Sequence, residues 1–219
     1  MLAFNGGSIM TVTSSNYDRI DNDFYETEPW AVEALLRALP LSNDGSVIWE
    51  PAAGNHAISD VFLSRGFKVI TSDIETYQKQ HSYIRNFFDV TKQEYTHGEF
   101  GNTIITNPPY GKNNTTAVRF AEHALELCDG WVALLLTAKF DFGKTRQHLF
   151  KNNKRFYGKI ALTDRLSWAG NGKTGTDNHA WYIWIPSNSR AFLDGNYLFN
   201  KASPLLFWEG KISEREAAS

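Results

Sequence analysis

A short polar loop with two prolines follows an apolar run in the middle of the chain. The loop is Asn107-Pro108-Pro109-Tyr110, and the run before it, residues 103–106, reads Thr-Ile-Ile-Thr. Such a run is typical of a buried strand, and open α/β sheets bind ligands at the carboxyl ends of their strands. The prolines fix φ and remove backbone donors. We therefore expect a rigid, acceptor-rich ligand loop, although a strand followed by a simple proline turn would give the same four residues.

The chemistry of this loop suits a substrate that carries an NH2 group. The amide oxygen of Asn107 and the carbonyl of Pro108 can each accept a hydrogen bond from such a group. The ring of Tyr110 offers a flat face on which a planar substrate can stack.

Strands and helices alternate from residue 29 to about residue 186, which predicts an α/β fold. Thr27 is available as a cap for the first helix, and Pro29 suits its first turn. The predicted helices are residues 29–39, 57–65, 115–128 and 143–150. The predicted strands are residues 46–49, 67–71, 84–88, 103–106, 131–136, 156–162 and 180–185.

Polar residues follow the first three predicted strands. The loop Glu50–Gly54 follows the first strand, Asp73 the second and Asp89 the third. In a parallel sheet these ends lie side by side, so one ligand could contact all of them. A single glycine in the first loop suits a cofactor without phosphates. Asp73 is placed to accept hydrogen bonds from ribose hydroxyls and Asp89 from an adenine amino group, although a lone Asp at a strand end is more often a turn or helix cap.

Two motifs in this order resemble a known enzyme family. The sequence Glu50-Pro-Ala-Ala-Gly54, followed some fifty residues later by Asn107-Pro-Pro-Tyr110, is similar to the pattern of class I S-adenosylmethionine-dependent methyltransferases. Within that class it resembles the N6-adenine DNA methyltransferases, in the compact form found in phage and prophage sequences. The segment 25–30, Tyr-Glu-Thr-Glu-Pro-Trp, resembles the family's amino-terminal motif near the methionine end of the cofactor.

The resemblance implies a Rossmann-like fold with a mostly parallel seven-stranded sheet and helices on both faces. It implies that Asn107, Pro108, Pro109 and Tyr110 are catalytic, and that no metal is required. The residues expected to bind S-adenosyl-L-methionine are Tyr25, Thr27, Trp30, Glu50, Pro51, Ala52, Gly54, Asp73, Ile74, Asp89, Val90 and Asn107. The chain departs from the family at His56, where a second glycine is usual, and it shows no large target-recognition domain.

The distribution of charge indicates nucleic acid as a partner. Residues 139–175 contain nine basic and two acidic residues, a net charge of +7, which leaves −9 for the rest of a chain whose total is −2. Such asymmetry suits a phosphate-facing surface, although a merely solvated basic face would look alike. The residues expected to contact nucleic acid, with DNA preferred, are Tyr110, Lys139, Lys144, Arg146, Trp168, Asn171 and Lys173. Target recognition is assigned to the hairpin 167–179, or else to the carboxyl-terminal tail or a partner chain.

Three other functions stay open at this stage. An adenine in RNA presents the same amino group, and the amide of a protein glutamine poses the same chemical problem. A catalytically silent subunit that binds nucleic acid would also keep the fold.

We expect three regions in the chain: a flexible segment (1–23), the methyltransferase domain (24–190) and a carboxyl-terminal tail (191–219) without assigned structure. Cys128 is the only cysteine, so no internal disulfide forms and a cytoplasmic location fits. No segment is apolar enough to predict a membrane span or a membrane partner.

Overall fold

Strands and helices alternate along the computed structural model, which describes residues 26–39, 41–43, 45–167, 177–189 and 205–212. The helices in these ranges are α1 (Pro29–Ala38), α2 (Ala57–Ser64), α3 (Lys92–His97) and α4 (Thr115–Leu127). The strands are β1 (Val47–Glu50), β2 (Lys68–Asp73), β3 (Tyr83–Ile84), β4 (Thr103–Thr106), β5 (Val132–Thr137), β6 (Phe156–Leu162), β7 (His179–Trp184) and β8 (Leu205–Glu209). In the described ranges, every helix is too short or too polar to cross a membrane.

The strands form one sheet in the order β3-β2-β1-β4-β5-β7-β6-β8. Neighbouring strands pair in parallel except at β7, which is antiparallel to both β5 and β6. The predicted mostly parallel α/β sheet is confirmed, but the described ranges contain eight strands instead of seven. The additional strand, β8, comes from the stretch that had no assignment, because its partner β6 lies far away in sequence and local patterns do not reveal such pairing.

Helices cover both faces of the sheet, as predicted. Side chains alternate between the faces along each strand: Ile105 packs in the cluster that includes α1 and α2, whereas Ile104 packs in the cluster that includes α4. Strand β5 is buried from Val132 to Leu136. This burial on both faces explains the uninterrupted apolar run of β5 and fixes the carboxyl ends of β4 and β5 side by side.

The predicted cap of the first helix is wrong. Pro29 opens α1 as expected, but the residue before the helix is Glu28, and its side chain makes no capping bond. Glu28 instead accepts a hydrogen bond from the backbone N–H of Ser167 at 2.8 Å. Thr27 lies one residue before Glu28 and does not cap the helix. Its hydroxyl instead accepts a hydrogen bond from the side chain of Asn107.

Two other predicted elements differ in the structure. The predicted strand 84–88 is only Tyr83–Ile84, and a 3₁₀ turn follows at Phe87–Asp89, because Phe87 turns inward and stacks on Phe120 with ring centroids 4.0 Å apart. The predicted helix 143–150 contains the short 3₁₀ turn Lys144–Arg146 instead, and hydrogen-bonded turns follow it up to Asn153.

Candidate active site

The loop after β1 is anchored by Glu50. This side chain is buried, and its Oε2 accepts hydrogen bonds from the backbone N–H of Ser59 at 2.9 Å and from the Ser59 hydroxyl. Burial raises the pKa of Glu50 to about 8, against the opposing effect of the Ser59 hydrogen bonds. Since Ser59 lies in the first turn of α2, Glu50 fixes the helix to the strand end.

Two residues of the same loop have left-handed backbone conformations. Gly54 has φ +48° and His56 has φ +68°, a region that glycine enters without cost. The position where the family pattern has a second glycine therefore keeps a glycine-like backbone with a histidine side chain. That side chain pairs with His81, Nε2 to Nδ1, at 2.8 Å, and burial, together with His81, lowers its pKa.

Asp73 ends β2 and joins it to this loop. Its Oδ2 accepts a hydrogen bond from the N–H of Gly54 at 2.9 Å, and its Oδ1 accepts one from the N–H of Ile74 at 2.7 Å. Each carboxylate oxygen has a second lone pair, so Asp73 can accept further bonds from a ligand. The side chain of Ile74 is 49% exposed beside it.

The two cofactor-binding residues predicted after the third strand, Asp89 and Val90, differ in their exposure. Val90 is buried in the hydrophobic core. Asp89 is exposed in the 3₁₀ turn, and its carboxylate lies 3.5 Å from the Nδ2 of Asn86.

The Asn107 loop meets two other predicted motifs. The Nδ2 of Asn107 donates to the Oγ1 of buried Thr27 at 3.2 Å. The hydroxyl of Thr106, the last residue of β4, lies 3.5 Å from the carbonyl of Ala52, so the end of β4 also touches the loop after β1. Pro51 is buried beside Ala52, and Pro108 is buried beside Pro109, which is half-buried.

Trp30 belongs to the same amino-terminal motif as Thr27. It lies in the first turn of α1, and the Lys211 ammonium is 5.6 Å from the centroid of its ring.

Two contacts fix the side chain of Tyr110. Its hydroxyl donates to the carbonyl of Leu135 at 3.3 Å, and its ring stacks on His179 with centroids 6.0 Å apart at 23°. Burial lowers the pKa of His179 to about 4, so this imidazole is neutral at neutral pH. The contacts hold the tyrosine ring in one orientation at the end of β4.

The loop after β5 carries the three predicted phosphate contacts that the structure describes. Lys139 and Lys144 are exposed. Arg146 is engaged within the protein: its Nη1 donates to the Phe140 carbonyl at 2.8 Å, and its guanidinium lies 4.6 Å from the centroid of the Phe140 ring. Arg146 thereby holds the loop in shape.

Other members of the basic stretch are also used by the fold. Arg155 donates to the carbonyls of Ile185, Leu125, Cys128 and Gly130. Lys159 donates to the Ala138 carbonyl at 2.6 Å and to Asp141 at 3.1 Å. Several basic side chains of residues 139–175 are therefore bonded within the protein and do not belong to one continuous surface that nucleic acid could contact.

Several predicted site residues lie outside the described residues: Tyr25, Trp168, Asn171 and Lys173. Conversely, the structure adds Ser59, His81 and His179, which contact Glu50, His56 and Tyr110. Of these three, only His179 had a signal in the sequence, because it directly precedes an apolar run and so stands at a strand end.

No family model and no curated protein matches the chain. Solved structures do. A chain of a type I restriction-modification system matches with a TM-score of 0.55 at 12% identity, over 91% of this chain and 47% of that one. A candidate RNA methyltransferase from Pyrococcus horikoshii matches with a TM-score of 0.52 at 18% identity, over 70% and 81% of the two chains.

A candidate class I S-adenosylmethionine-dependent methyltransferase from Listeria monocytogenes matches with a TM-score of 0.51 at 11% identity, over 83% of this chain and 63% of that one. The chain thus spans less than two thirds of the Listeria protein and about half of the restriction-modification chain. Identities this low establish architecture and nothing finer. These structural matches and the strand order show that this chain has the Rossmann-like class I methyltransferase fold. In that order, only β7 of the described strands is antiparallel to its neighbours.

Proposed function

We propose that this protein uses S-adenosyl-L-methionine to methylate the exocyclic amino group of adenine in DNA. The observation that carries the proposal is the Asn107-Pro-Pro-Tyr110 loop at the end of β4, with the Asn107 amide oriented by Thr27. Two of the solved structures with this fold are described as methyltransferases, which supports methyl transfer as the reaction class.

The residues around Gly54 fit the cofactor. S-adenosyl-L-methionine has no phosphate, so it does not require the several close backbone approaches that a glycine-rich loop provides. Asp73 can accept hydrogen bonds from two ribose hydroxyls while it keeps its bonds to Gly54 and Ile74, and exposed Ile74 offers an apolar surface to the adenine ring. The bound cofactor would supply a methyl group activated by a sulfonium.

Asn107 acts on the nucleophile. The amino nitrogen of adenine is weakly nucleophilic because its lone pair is delocalised into the ring. If its two hydrogens bind the Asn107 oxygen and the Pro108 carbonyl, the nitrogen moves towards tetrahedral geometry and its lone pair is aimed at the methyl group. The same acceptors stabilise the positive charge that develops on the nitrogen as the N–C bond forms and the C–S bond breaks. The methylated nitrogen would then lose one proton to solvent. The bond from the Nδ2 of Asn107 to Thr27 holds this side chain in place at the end of β4.

Tyr110 supplies the platform for the base. An adenine in a duplex must leave the base stack before it can reach the loop, at a cost of a few kcal/mol. Stacking on a tyrosine ring offsets part of that cost, and the Leu135 and His179 contacts hold the ring ready.

Exposed Lys139 and Lys144 on the neighbouring loop favour a nucleic acid over a protein glutamine as substrate, because they can bind phosphates on either side of an extruded base. An unpaired adenine in RNA would meet the same loop, so the two polymers are compared directly in the experiment.

The test is transfer of a labelled methyl group from S-adenosyl-L-methionine to separate pools of DNA, RNA and protein. We expect label in DNA, recovered as N6-methyladenine after digestion to nucleosides. The variant Asn107→Ala should transfer almost none, whereas Asn43→Ala, a change in the turn before β1, should behave as wild type. Label in RNA or protein alone would replace DNA as the substrate, and no label with intact nucleic-acid binding would indicate a silent subunit.

A further inference from the structure

An aromatic side chain outside the Asn107 loop stands at the same edge of the sheet. Phe142 follows β5 and is 79% exposed, more than any other large apolar side chain in the described ranges. Single exposed apolar residues are ordinary on protein surfaces. Phe142 differs from them in its position, its rigid support and the charge around it.

The loop of Phe142 is tied to the loop that carries Asn107. Strands β4 and β5 are parallel neighbours, so both loops leave the sheet at one edge. The Nδ2 of Asn114 lies 3.5 Å from the Oγ1 of Thr137, and the Nη2 of Arg146 lies 3.5 Å from the carbonyl of Asn113. The two segments therefore lie side by side at this edge of the sheet.

The residues on either side of Phe142 are fixed. Phe140 is fully buried. Asp141 accepts hydrogen bonds from the Tyr182 hydroxyl at 3.0 Å and from Lys159 at 3.1 Å. Since both neighbours are anchored inward, the backbone holds Phe142 outward, and its exposure is a property of the folded loop.

Lysine residues lie near this ring, and one of them, Lys159, is paired with Asp141 within the protein. The Lys159 ammonium lies 5.6 Å from the centroid of Phe142, and exposed Lys139 and Lys144 stand three residues before it and two after it in the sequence. An exposed aromatic ring between lysines is the combination that binds nucleic-acid strands, with bases stacked on the ring and phosphates paired with the ammonium groups.

We propose that Phe142 stacks on a nucleobase next to the target adenine, in the strand whose phosphates Lys139 and Lys144 bind. This inference rests on the proposed function. The base is a neighbour of the target, because the target itself is assigned to Asn107 and Tyr110 on the loop after β4. Stacking at Phe142 would hold the strand in place while the adenine lies in the site, so it should lower the dissociation constant for the nucleic acid and leave that for the cofactor unchanged.

The experiment compares Phe142→Ala and Phe142→Trp with wild type. The matched control is Leu63→Ala, another exposed apolar residue (51% exposed) in the last turn of α2. Two fluorescent single strands are titrated: an oligodeoxyadenosine, and an abasic oligomer of the same length and charge. We expect Phe142→Ala to weaken binding of the first by roughly 5- to 150-fold, the range of one base–aromatic stack, and to leave the second unchanged. Phe142→Trp should bind both like wild type.

Equal weakening on both oligomers would overturn stacking, because an abasic strand offers no base. Equal binding by Phe142→Ala and wild type on the first oligomer would overturn the inference as well. Methyl transfer by the wild type is measured in parallel. If the wild type methylates neither DNA nor RNA, the proposed function fails, and the oligomer titrations still decide whether Phe142 contacts bases.

Discussion

The Asn107 amide donates a hydrogen bond to Thr27 across eighty residues of sequence, with Nδ2 and Oγ1 3.2 Å apart. This bond joins the segment before α1 to the loop after β4, with the Nδ2 end of the amide facing Thr27. An asparagine without that partner could rotate and present its NH2 to the substrate instead of its oxygen. The amino-terminal motif thus contacts the Asn107 loop even though Thr27 lies outside that loop.

Asn107→Ala should reduce the turnover number for methyl transfer by about 100-fold or more, the loss typical of one preorganised hydrogen-bonding group at a reaction centre. The dissociation constant for S-adenosyl-L-methionine should change little, since the lost oxygen acts on the substrate amine. Thr27→Val is the matched test of orientation: it removes only the partner of Nδ2, and we expect a loss of about tenfold or less. Near wild-type turnover by Asn107→Ala would exclude the assigned role.

Asp73→Ala should raise the dissociation constant for the cofactor about tenfold or more, because two charge-assisted hydrogen bonds to a ribose are lost. Asp89→Ala is the control, an exposed carboxylate in the 3₁₀ turn that follows β3, and it should have the smaller effect. Calorimetric titration of both variants measures the difference. A cofactor affinity for Asp73→Ala equal to that of the wild type would rule out the ribose contact.

Much of the sheet follows from local patterns. Strands β4, β5 and β7 are continuous buried runs, and sequence reasoning finds each of them to within about one residue because burial on both faces demands apolar side chains. Phe87 and Phe88 look like part of such a run, but Phe87 leaves the strand direction to stack on Phe120. That choice depends on a helix thirty residues away, which no local pattern contains.

The position of the candidate site in the sheet follows from the sequence, but its internal contacts do not. Strand-end positions place Glu50, Asp73 and Asn107 at one edge of the sheet. Which charged groups remain available to a ligand depends on tertiary partners: Glu50 is bound to α2 through Ser59, and Arg146 is bound to the Phe140 carbonyl. A count of charges along the sequence cannot separate such residues from free ones.

Glu50→Gln should change how stability depends on pH. The folded state holds a proton on Glu50 up to a pKa of about 8, whereas the unfolded chain releases it near 4.5. Between these values the unfolded state binds fewer protons, so this residue lowers the free energy of unfolding as pH rises. Glutamine cannot release a proton. Urea denaturation at pH 5 and pH 8 should therefore show the stability of the variant, relative to wild type, increasing with pH; a constant difference would contradict a buried neutral carboxyl.

Tyr110→Ala should weaken the complex with the extruded base by roughly 1–3 kcal/mol, the contribution of one base–aromatic stack. Tyr110→Phe should be mild, because it keeps the aromatic ring and removes a neutral hydrogen bond to the Leu135 carbonyl. Fluorescence of a 2-aminopurine substituted for adenine reports extrusion in each variant. Equal loss in the two variants would point to the hydroxyl, rather than the ring, as the functional group.

Lysines of the β5 loop should differ from Arg146 in the salt dependence of DNA binding. Each phosphate contact that is lost lowers the slope of log K against log salt concentration by about one. Lys139→Gln and Lys144→Gln should each show this change because both side chains are exposed. Arg146→Gln should leave the slope nearly unchanged and lower the melting temperature instead, since its guanidinium already contacts the Phe140 carbonyl and ring.

Lys68→Gln, at the start of β2 and thus at the opposite edge of the sheet, is the control. A reduced slope for Lys68→Gln equal to that of the loop lysines would show that DNA does not bind at the carboxyl edge, whereas a reduced slope for Arg146→Gln would mean that DNA draws this side chain away from its internal partners.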